Sequence, residues 1–341
     1  MKQLPSIISA DPSGHSPETA EHDEGADPSD ASELRSFRVG QAQHGQRLDR
    51  ALAALVPEFS RSYLQQLIDA GMVELHGQPA TKPSATVHAG EEGRIELRPT
   101  PQSQAFRPEP MPIEVLYEDE HLRIIDKPVG LVVHPAPGHW SGTLLNGLLA
   151  LDPKATLLPR AGIVHRLDRD TSGLMVVARS RAAMDALVAL IAAREVKRQY
   201  LALAHRSWQG AAARHVDAAL GRDPRNRLRM AVVDLARHSG KPARTLIEAL
   251  DSNEQGCAVR CTLETGRTHQ IRVHMASIGH PLVGDALYGG VAAAGLTRQA
   301  LHAFRLAFVH PVSRVPMEFR SPPPPDLEAG LRSWGLDYNR A

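Results

Sequence analysis

The sequence predicts an α+β protein in two folded units: a small ααβ unit, then a larger one in which strands and helices intermix. Three observations predict it. The 341 residues exceed one ordinary domain. A stretch with five prolines, 99–112, interrupts the hydrophobic periodicity and reads as a semi-stiff linker. On both sides of it, apolar residues recur at helical spacing in some segments and alternate in others. At 42% the hydrophobic residues suffice for a sizeable core, and no apolar run approaches the roughly 20 residues that cross a bilayer.

Residues 1–36 are rich in Ser, Pro, Asp, Glu and Gly, with almost no large apolar side chain after Ile8. Such a segment cannot bury enough surface to offset its ordering entropy, so it is expected to be a disordered acidic tail. The formal net charge of +1 hides an asymmetry. Residues 1–34 hold eight acidic side chains and one basic one, Lys2, which leaves 38 Lys+Arg against 30 Asp+Glu on the rest, a charge of +8. A basic body behind an acidic tail suits a polyanionic partner, although many soluble proteins carry as much charge. The acidic N-terminus is unlike a basic-then-apolar signal, so a cytoplasmic protein is expected. Cys257 and Cys261 are the two cysteines, and their apolar strand setting reads as reduced core residues rather than a disulfide or metal site.

The small unit is expected over 37–98. Leu48, Ala51, Leu52 and Leu55 give helical spacing over 47–56. Ser60 is placed to cap a second helix running to Ala70, with Leu64, Leu67 and Ile68 inward and Gly71 as its stop. Short strands follow at 72–75 and 94–97, with turns at Gly77 and Gly90.

The larger unit is expected over 113–328, with 329–341 as a peripheral tail. Leu122, Ile124 and Ile125 suggest a strand that Lys127-Pro128 breaks. Thr143 is placed to cap a helix with Leu144, Leu145, Leu148 and Leu149 on one side. Two apolar runs, 163–164 and 174–178, read as buried strands holding the charged loop between them. Ser180 starts a helix with Met184, Leu187, Val188 and Ile191 as its core face. Residues 197–203 alternate as a strand. Residues 214–244 are rich in Arg and Lys and poor in aromatics, which suits a basic loop on phosphates rather than a stacking platform. Cys257, Val259, Cys261 and Leu263 form one buried face of a further strand. Thr268 is a plausible cap for a helix bearing Ile271, Met275 and Ile278, ended by Gly279.

The loop carries the chemistry. In His165-Arg166-Leu167-Asp168-Arg169-Asp170-Thr171-Ser172-Gly173, four charges lie beside a core, and a carboxylate there needs a partner or a task. Asp168 or Asp170 read alone is equally a turn former in an ordinary salt bridge. The loop resembles the signature of the RluA-type pseudouridine synthases, whose catalytic aspartate follows Arg-Leu. The separated segments 117–130, 197–203, 240–245, 265–274, 280–285 and 301–303 agree, so the resemblance runs from about Val39 to Pro325. A protein-kinase catalytic loop is excluded by the lack of a Gly-rich phosphate loop and of Asp-Phe-Gly.

The resemblance implies a mixed, largely antiparallel sheet with the cleft across it, preceded by an RNA-binding domain of the ribosomal-protein S-four type, which Ser60-Arg61-Ser62, Gly71-Met72-Val73 and Lys82-Pro83-Ser84 match. It implies an isomerase that converts uridine to pseudouridine in RNA without a cofactor, in line with the absence of Rossmann and P-loop fingerprints. Asp168 is then catalytic, acting as nucleophile or as base on the ribose. Tyr200 stacks on the target base, although a strand tyrosine is also a common packing residue. Arg267 pairs with Asp168, with Arg272 as the nearby competitor; a close cation typically lowers a carboxylate pKa by about 1–3 units. Arg166 fills the space of the flipped base and His165 orders the loop. Arg47, Arg50, Arg61 and Lys82 in the small unit, and Arg227 and Lys241 in the basic segment, are candidate phosphate contacts. Glu91-Glu92 puts negative charge close to that face. The expected partner is large-subunit ribosomal RNA, with no membrane and no metal, and the protein a monomer. His269, His274 and His280 invite a zinc reading, but five residues along a helix separate the first two around its axis and no cysteine pair completes a site. Two other functions remain: a uracil-releasing glycosidase, which shares the first bond cleavage, and a non-catalytic ribosome-assembly factor, which does not require Asp168, Tyr200 and Arg267 together.

Overall fold

The computed structural model describes residues 33–57, 59–97, 105–136, 138–226 and 229–339, and it divides into two compact units, Met1–Thr100 and Pro101–Ala341. In the first unit the elements are β1 (Glu33–Arg38), α1 (Leu48–Leu55), α2 (Arg61–Asp69), β2 (Val73–Leu75), β3 (Gln78–Pro79) and β4 (Glu92–Leu97). An antiparallel sheet of order β1-β4-β2-β3 packs with the two helices around Leu48, Leu52, Leu64, Ile68, Val73 and Ile95. Ser60 accepts from the Tyr63 amide as the cap of α2, and Gly71, at φ +73, lets the chain leave the helix. The expected tail is corrected here. Residues 33–36 belong to β1, where Glu33 faces Leu97 and Ser36 faces Arg94; residues 1–32 lie outside the described residues. β1 is an edge strand held by its backbone pairing with β4 and by Phe37, which packs against the core.

The second unit contains β5 (Glu114–Glu118), β6 (Leu122–Lys127), α3 (Leu144–Leu151), β7 (Ser172–Ala178), α4 (Arg181–Ala192), β8 (Lys197–His205), β9 (Ala213–Asp217), β10 (Leu220–Arg222), β11 (Met230–Val232), β12 (Arg244–Ser252), β13 (Gly256–Leu263), α5 (Gln270–Ser277), β14 (Leu301–Val309), β15 (Pro316–Arg320) and α6 (Pro325–Ser333). Among the described residues one sheet runs β5-β6-β7-β14-β8-β13-β12-β9, with β15 on β14; β7 and β14 are parallel and every other pair is antiparallel. All seven residues of β7 are buried because both of its faces are covered. Leu174, Val176 and Ala178 pack under α4, while Met175 and Val177 pack under α3.

Five expectations for this unit change. Residues 163–164 do not form a strand: Ile163 makes one isolated bridge to Val177, because Arg160, Ala161 and Gly162 are all left-handed and turn the chain. Gly162 is required there, since a Cβ would sit 1.9 Å from the Ala178 carbonyl oxygen. Val188 is 47% exposed, because the inner face of α4 is centred on Ala183 and Leu187. β13 is buried on both faces, Ala258 packing under α6. The tail from 329 is not peripheral either: Leu327, Leu331 and Leu336 join Leu201 and Leu203 in one cluster, and the Pro-rich run supplies the start of α6. Of the linker 99–112, the described part is docked, with the Asn146 amide donating to the Arg107 carbonyl at 2.8 Å and the Glu109 amide to the Asn146 carbonyl at 3.0 Å.

Candidate active site

The loop before β7 is fixed from beneath by Lys127. Its ammonium is fully buried and donates to three carbonyls, Pro128 at 2.7 Å, Arg169 at 2.9 Å and Leu131 at 3.0 Å. Three N–H groups meet three acceptors, so the cation is saturated. Burial pulls this lysine down to about 8, with the charges of Asp170 and Asp168 acting against the fall. Arg298 donates to the Asp170 carbonyl, and the Gly130 amide to that of Arg169. Immediately before these anchored carbonyls stands Asp168, which lines the cleft.

Asp168 lies in a cleft of about 800 Å³ lined also by His165, Arg166, Arg198, Tyr200, Arg267, His269 and Arg272. Arg272, on α5, donates from Nη1 to Asp168 Oδ2 at 3.1 Å. Its other edge grips Asp285 bidentately, Nε at 2.7 Å and Nη2 at 2.8 Å, and its guanidinium lies 5.0 Å from the Tyr288 ring centre. A guanidinium clamped by a fully buried carboxylate has one remaining direction in which to donate, and Asp168 occupies it. The expected pairing of Arg267 with Asp168 is therefore corrected: Arg267 lines the same cleft but donates from Nε to the Pro242 carbonyl at 3.2 Å. The physical reason is the local turn. Helix α5 begins at Gln270 behind His269, which is left-handed at φ +56, and not behind Thr268. Gln270 ties the turn by accepting from the Arg267 amide and Thr265 hydroxyl and donating to the Arg244 carbonyl. This places Arg272 on the inner face of the first turn of α5.

The other expected residues are distributed as follows. Tyr200 on β8 is buried, and its hydroxyl is pushed up to about 12 by burial, with the neighbouring Arg198 charge opposing and that of Asp168 adding. His165 accepts at Nε2 from the Val176 amide at 3.1 Å, which ties the loop to β7, and burial followed by the charge of Arg198 pulls it down to about 3. Arg166 is exposed on the cleft lining and has no partner among the described residues. In the first unit, Arg47 and Arg61 both donate to the buried Asp49, at 3.1 and 2.9 Å, while about half of each guanidinium stays exposed. Arg50 and Lys82 are exposed, as is Lys241 in the turn before β12. Arg227 lies outside the described residues. The basic segment is in part a two-stranded ribbon, β10 with β11, not a loop throughout.

The family described as RNA pseudouridylate synthase matches residues 121–277, and the S4 domain matches residues 46–92. The chain is 46% identical over 312 residues to "Ribosomal large subunit pseudouridine synthase D" of Neisseria meningitidis, covering 85% of this chain and 81% of that one. It belongs to the RNA pseudouridylate synthase family. Proteins of the same name from Xanthomonas campestris (44% over 332 residues, 94% and 98% covered) and Escherichia coli (42% over 315 residues, 88% and 94% covered) are similar throughout. A solved structure, human RNA pseudouridylate synthase domain containing 1, aligns with a TM-score of 0.51 at 28% identity, covering 65% of this chain and 90% of that one. As a member of the family the chain is an isomerase that forms pseudouridine in RNA. No described helix is long and apolar enough to cross a membrane, and no group of three His, Cys, Asp or Glu among the described residues is placed to hold a metal ion.

The pseudouridylate synthase site also contains residues to which the sequence alone assigned no role. His269 Nδ1 lies 2.7 Å from the Tyr288 hydroxyl, which accepts from the Met230 amide at 3.0 Å, and its Nε2 faces Asp168 Oδ1 at 3.9 Å. Burial pulls His269 down, with Arg272 assisting and Asp168 opposing. Of the other two histidines of that segment, His274 contacts Thr245 and the Ala218 carbonyl, and His280 stacks on Trp208. Asp285 stands in the segment 280–285 that the sequence likened to the family, and that likeness was the one available signal. Arg198 shares the inward face of β8 with Tyr200, two residues on, and that period was legible.

Proposed function

We propose that this chain converts uridines in a stem-loop of large-subunit ribosomal RNA to pseudouridine, acting in the cytoplasm as a monomer. The reading of the substrate rests on the likeness to the ribosomal enzymes over more than four-fifths of the chain. The chemistry rests on one observation: Asp168 lies against Arg272 at 3.1 Å in a cleft whose wall is Tyr200.

A uridine stacked in a stem must be extruded to reach Asp168, at a cost of a few kcal/mol. Arg166, exposed and unpartnered, is suited to fill the vacated place, and Arg267 and Arg160 to hold phosphates at the rim. Asp168 then acts on the ribose, by attack at C1′ or by removal of the 2′ proton. Either route begins with a carboxylate, whose counter-charge is Arg272. The C1′–N1 bond breaks, the base turns over Tyr200, and C5 joins C1′ before losing its proton. The hydroxyl of Tyr200 remains protonated at neutral pH, so it serves as a neutral hydrogen-bonding group. Tyr200→Phe is expected to keep RNA binding and to slow the loss of the C5 proton by about 10-fold; identical wild-type and variant rates at every step would remove the hydroxyl from the reaction. Pseudouridine mapping in ribosomal RNA from cells lacking the chain tests the substrate. One or a few missing modifications in the large-subunit RNA are expected, and an unchanged map overturns the proposal. Free uracil among the products would instead establish a glycosidase.

A further inference from the structure

Arg198 is the buried cation of the cleft that has no anionic partner among the described residues. It is 6% exposed, it forms no ion pair there, and its Nε is buried without an acceptor. Its Nη1 lies 2.8 Å from where a Cβ on Gly266 would stand, so the absence of a side chain at Gly266 is what admits the guanidinium to the cleft wall. The neighbouring Arg272, equally buried, is matched by two carboxylates. A buried cation left unpaired costs several kcal/mol, and a fold does not carry that cost at a position where a leucine would pack unless an anion arrives. Two residues along β8, on the same face, stands Tyr200. A second unanswered group lies beside it: His165 Nδ1 is buried without a partner, and because Nε2 accepts from Val176 the proton is on Nδ1.

We infer that Arg198 stabilises the uracil anion released when the C1′–N1 bond breaks. The bonding pair stays with N1 and spreads to the carbonyl oxygens O2 and O4, so the base leaves with one negative charge while C1′ is taken by Asp168, or C2′ gives its proton to Asp168 and its C–H pair forms the C1′–C2′ double bond. Arg198 transfers no proton; it donates charge-assisted hydrogen bonds to a carbonyl oxygen on which charge grows. The Nδ1–H of His165 donates to the other carbonyl face. Both groups are donors, which fits uracil and rejects cytosine, whose 4-amino group would meet a donor. Depth decides between the base and a phosphate as the ligand: the exposed Arg166 serves the backbone at the rim, whereas Arg198 lies buried inside with Tyr200. When C5 attacks C1′ the charge returns to the new bond, and Arg198 again stands unpaired.

This inference rests on the pseudouridine reading, and the test separates the two. Total RNA from cells lacking the chain contains the target whichever RNA carries it, so wild-type turnover on that RNA is the control for the reading itself. Under single turnover with excess enzyme, Arg198→Met is expected to lower the maximal rate by about 10²–10³-fold and to leave the enzyme concentration for half-maximal rate within about threefold. Arg198→Lys, which keeps the charge, is expected to recover part of the rate. The thermal midpoint of Arg198→Met should equal or exceed that of wild type, because an uncompensated buried charge is gone. A maximal rate within threefold of wild type overturns the inference. So does a loss confined to the half-maximal concentration, which would make Arg198 a phosphate contact, or a midpoint lowered by several degrees, which would make it structural.

Discussion

The two units each contain a three-membered charge cluster, and the clusters are inverted copies of one another. In the small unit one buried carboxylate, Asp49, is shared by two half-exposed arginines, Arg47 and Arg61, with Gln65 as a third donor. In the larger unit one buried guanidinium, Arg272, is shared by two carboxylates, Asp168 and Asp285. The first arrangement sums to one positive charge and turns it outward, which suits a phosphate backbone. The second sums to one negative charge and keeps it in a cleft, which suits attack on an electron-poor carbon. In both clusters the central ion is buried and holds its outer partners, and the outer ions give each cluster its net sign.

Four variants break or sharpen this comparison. The largest effect belongs to Asp168→Asn, which preserves shape and removes charge. It is expected to lower the single-turnover rate on the order of 10⁴-fold or more with RNA binding retained; turnover within tenfold of wild type would end the assignment. Next comes Arg272→Lys set against Arg267→Ala. Lysine offers one nitrogen and cannot bridge Asp168 and Asp285 together, so a loss of about 10²–10³-fold in maximal rate is expected. Arg267→Ala is expected to stay within about tenfold and to act on RNA affinity. If the two variants lose maximal rate equally, the geometry of α5 does not govern the reaction.

The smallest effect is on stability. Burial of Asp49 acts against its ionisation, but the hydrogen bonds from Arg47, Gln65 and Arg61 outweigh it and hold its carboxyl below the usual aspartate range. Its folded value is thus lower than its unfolded value, so its stabilisation is complete above the ordinary aspartate range and is lost as pH falls below it. Asp49→Asn should lower the unfolding midpoint of the small unit by about 5 °C at neutral pH. The gap to wild type should close on acidification below about pH 4, and a gap that widens there would exclude the linkage.

Much of this molecule was legible before any coordinates. Helix caps at Ser60, Thr143 and Ser180 depend on residues three apart, and each is formed as expected. The strand at 174–178 was evident from its apolar run, and the catalytic loop from charges held beside it. What failed did so where distant chain decides. Residues 33–36 offer a single apolar side chain, the exposed Leu34, yet they pair with β4. Leu327 and Leu331 look ordinary until β8 supplies the surface that buries them.

The candidate acid was legible in the sequence, through the likeness of its loop to the family rather than from local chemistry, since Asp168 and Asp170 read alone are equally turn formers. The identity of its counter-ion was not. Arg267 and Arg272 stand five residues apart on the same turn-and-helix segment, and nothing local ranks them. The choice falls to Asp285, thirteen residues on, which seizes two nitrogens of Arg272 and leaves the third aimed at Asp168. Covalent neighbours determine which conformations a residue prefers. Which of two like charges is buried, and against what, depends on elements that meet only after the chain has folded.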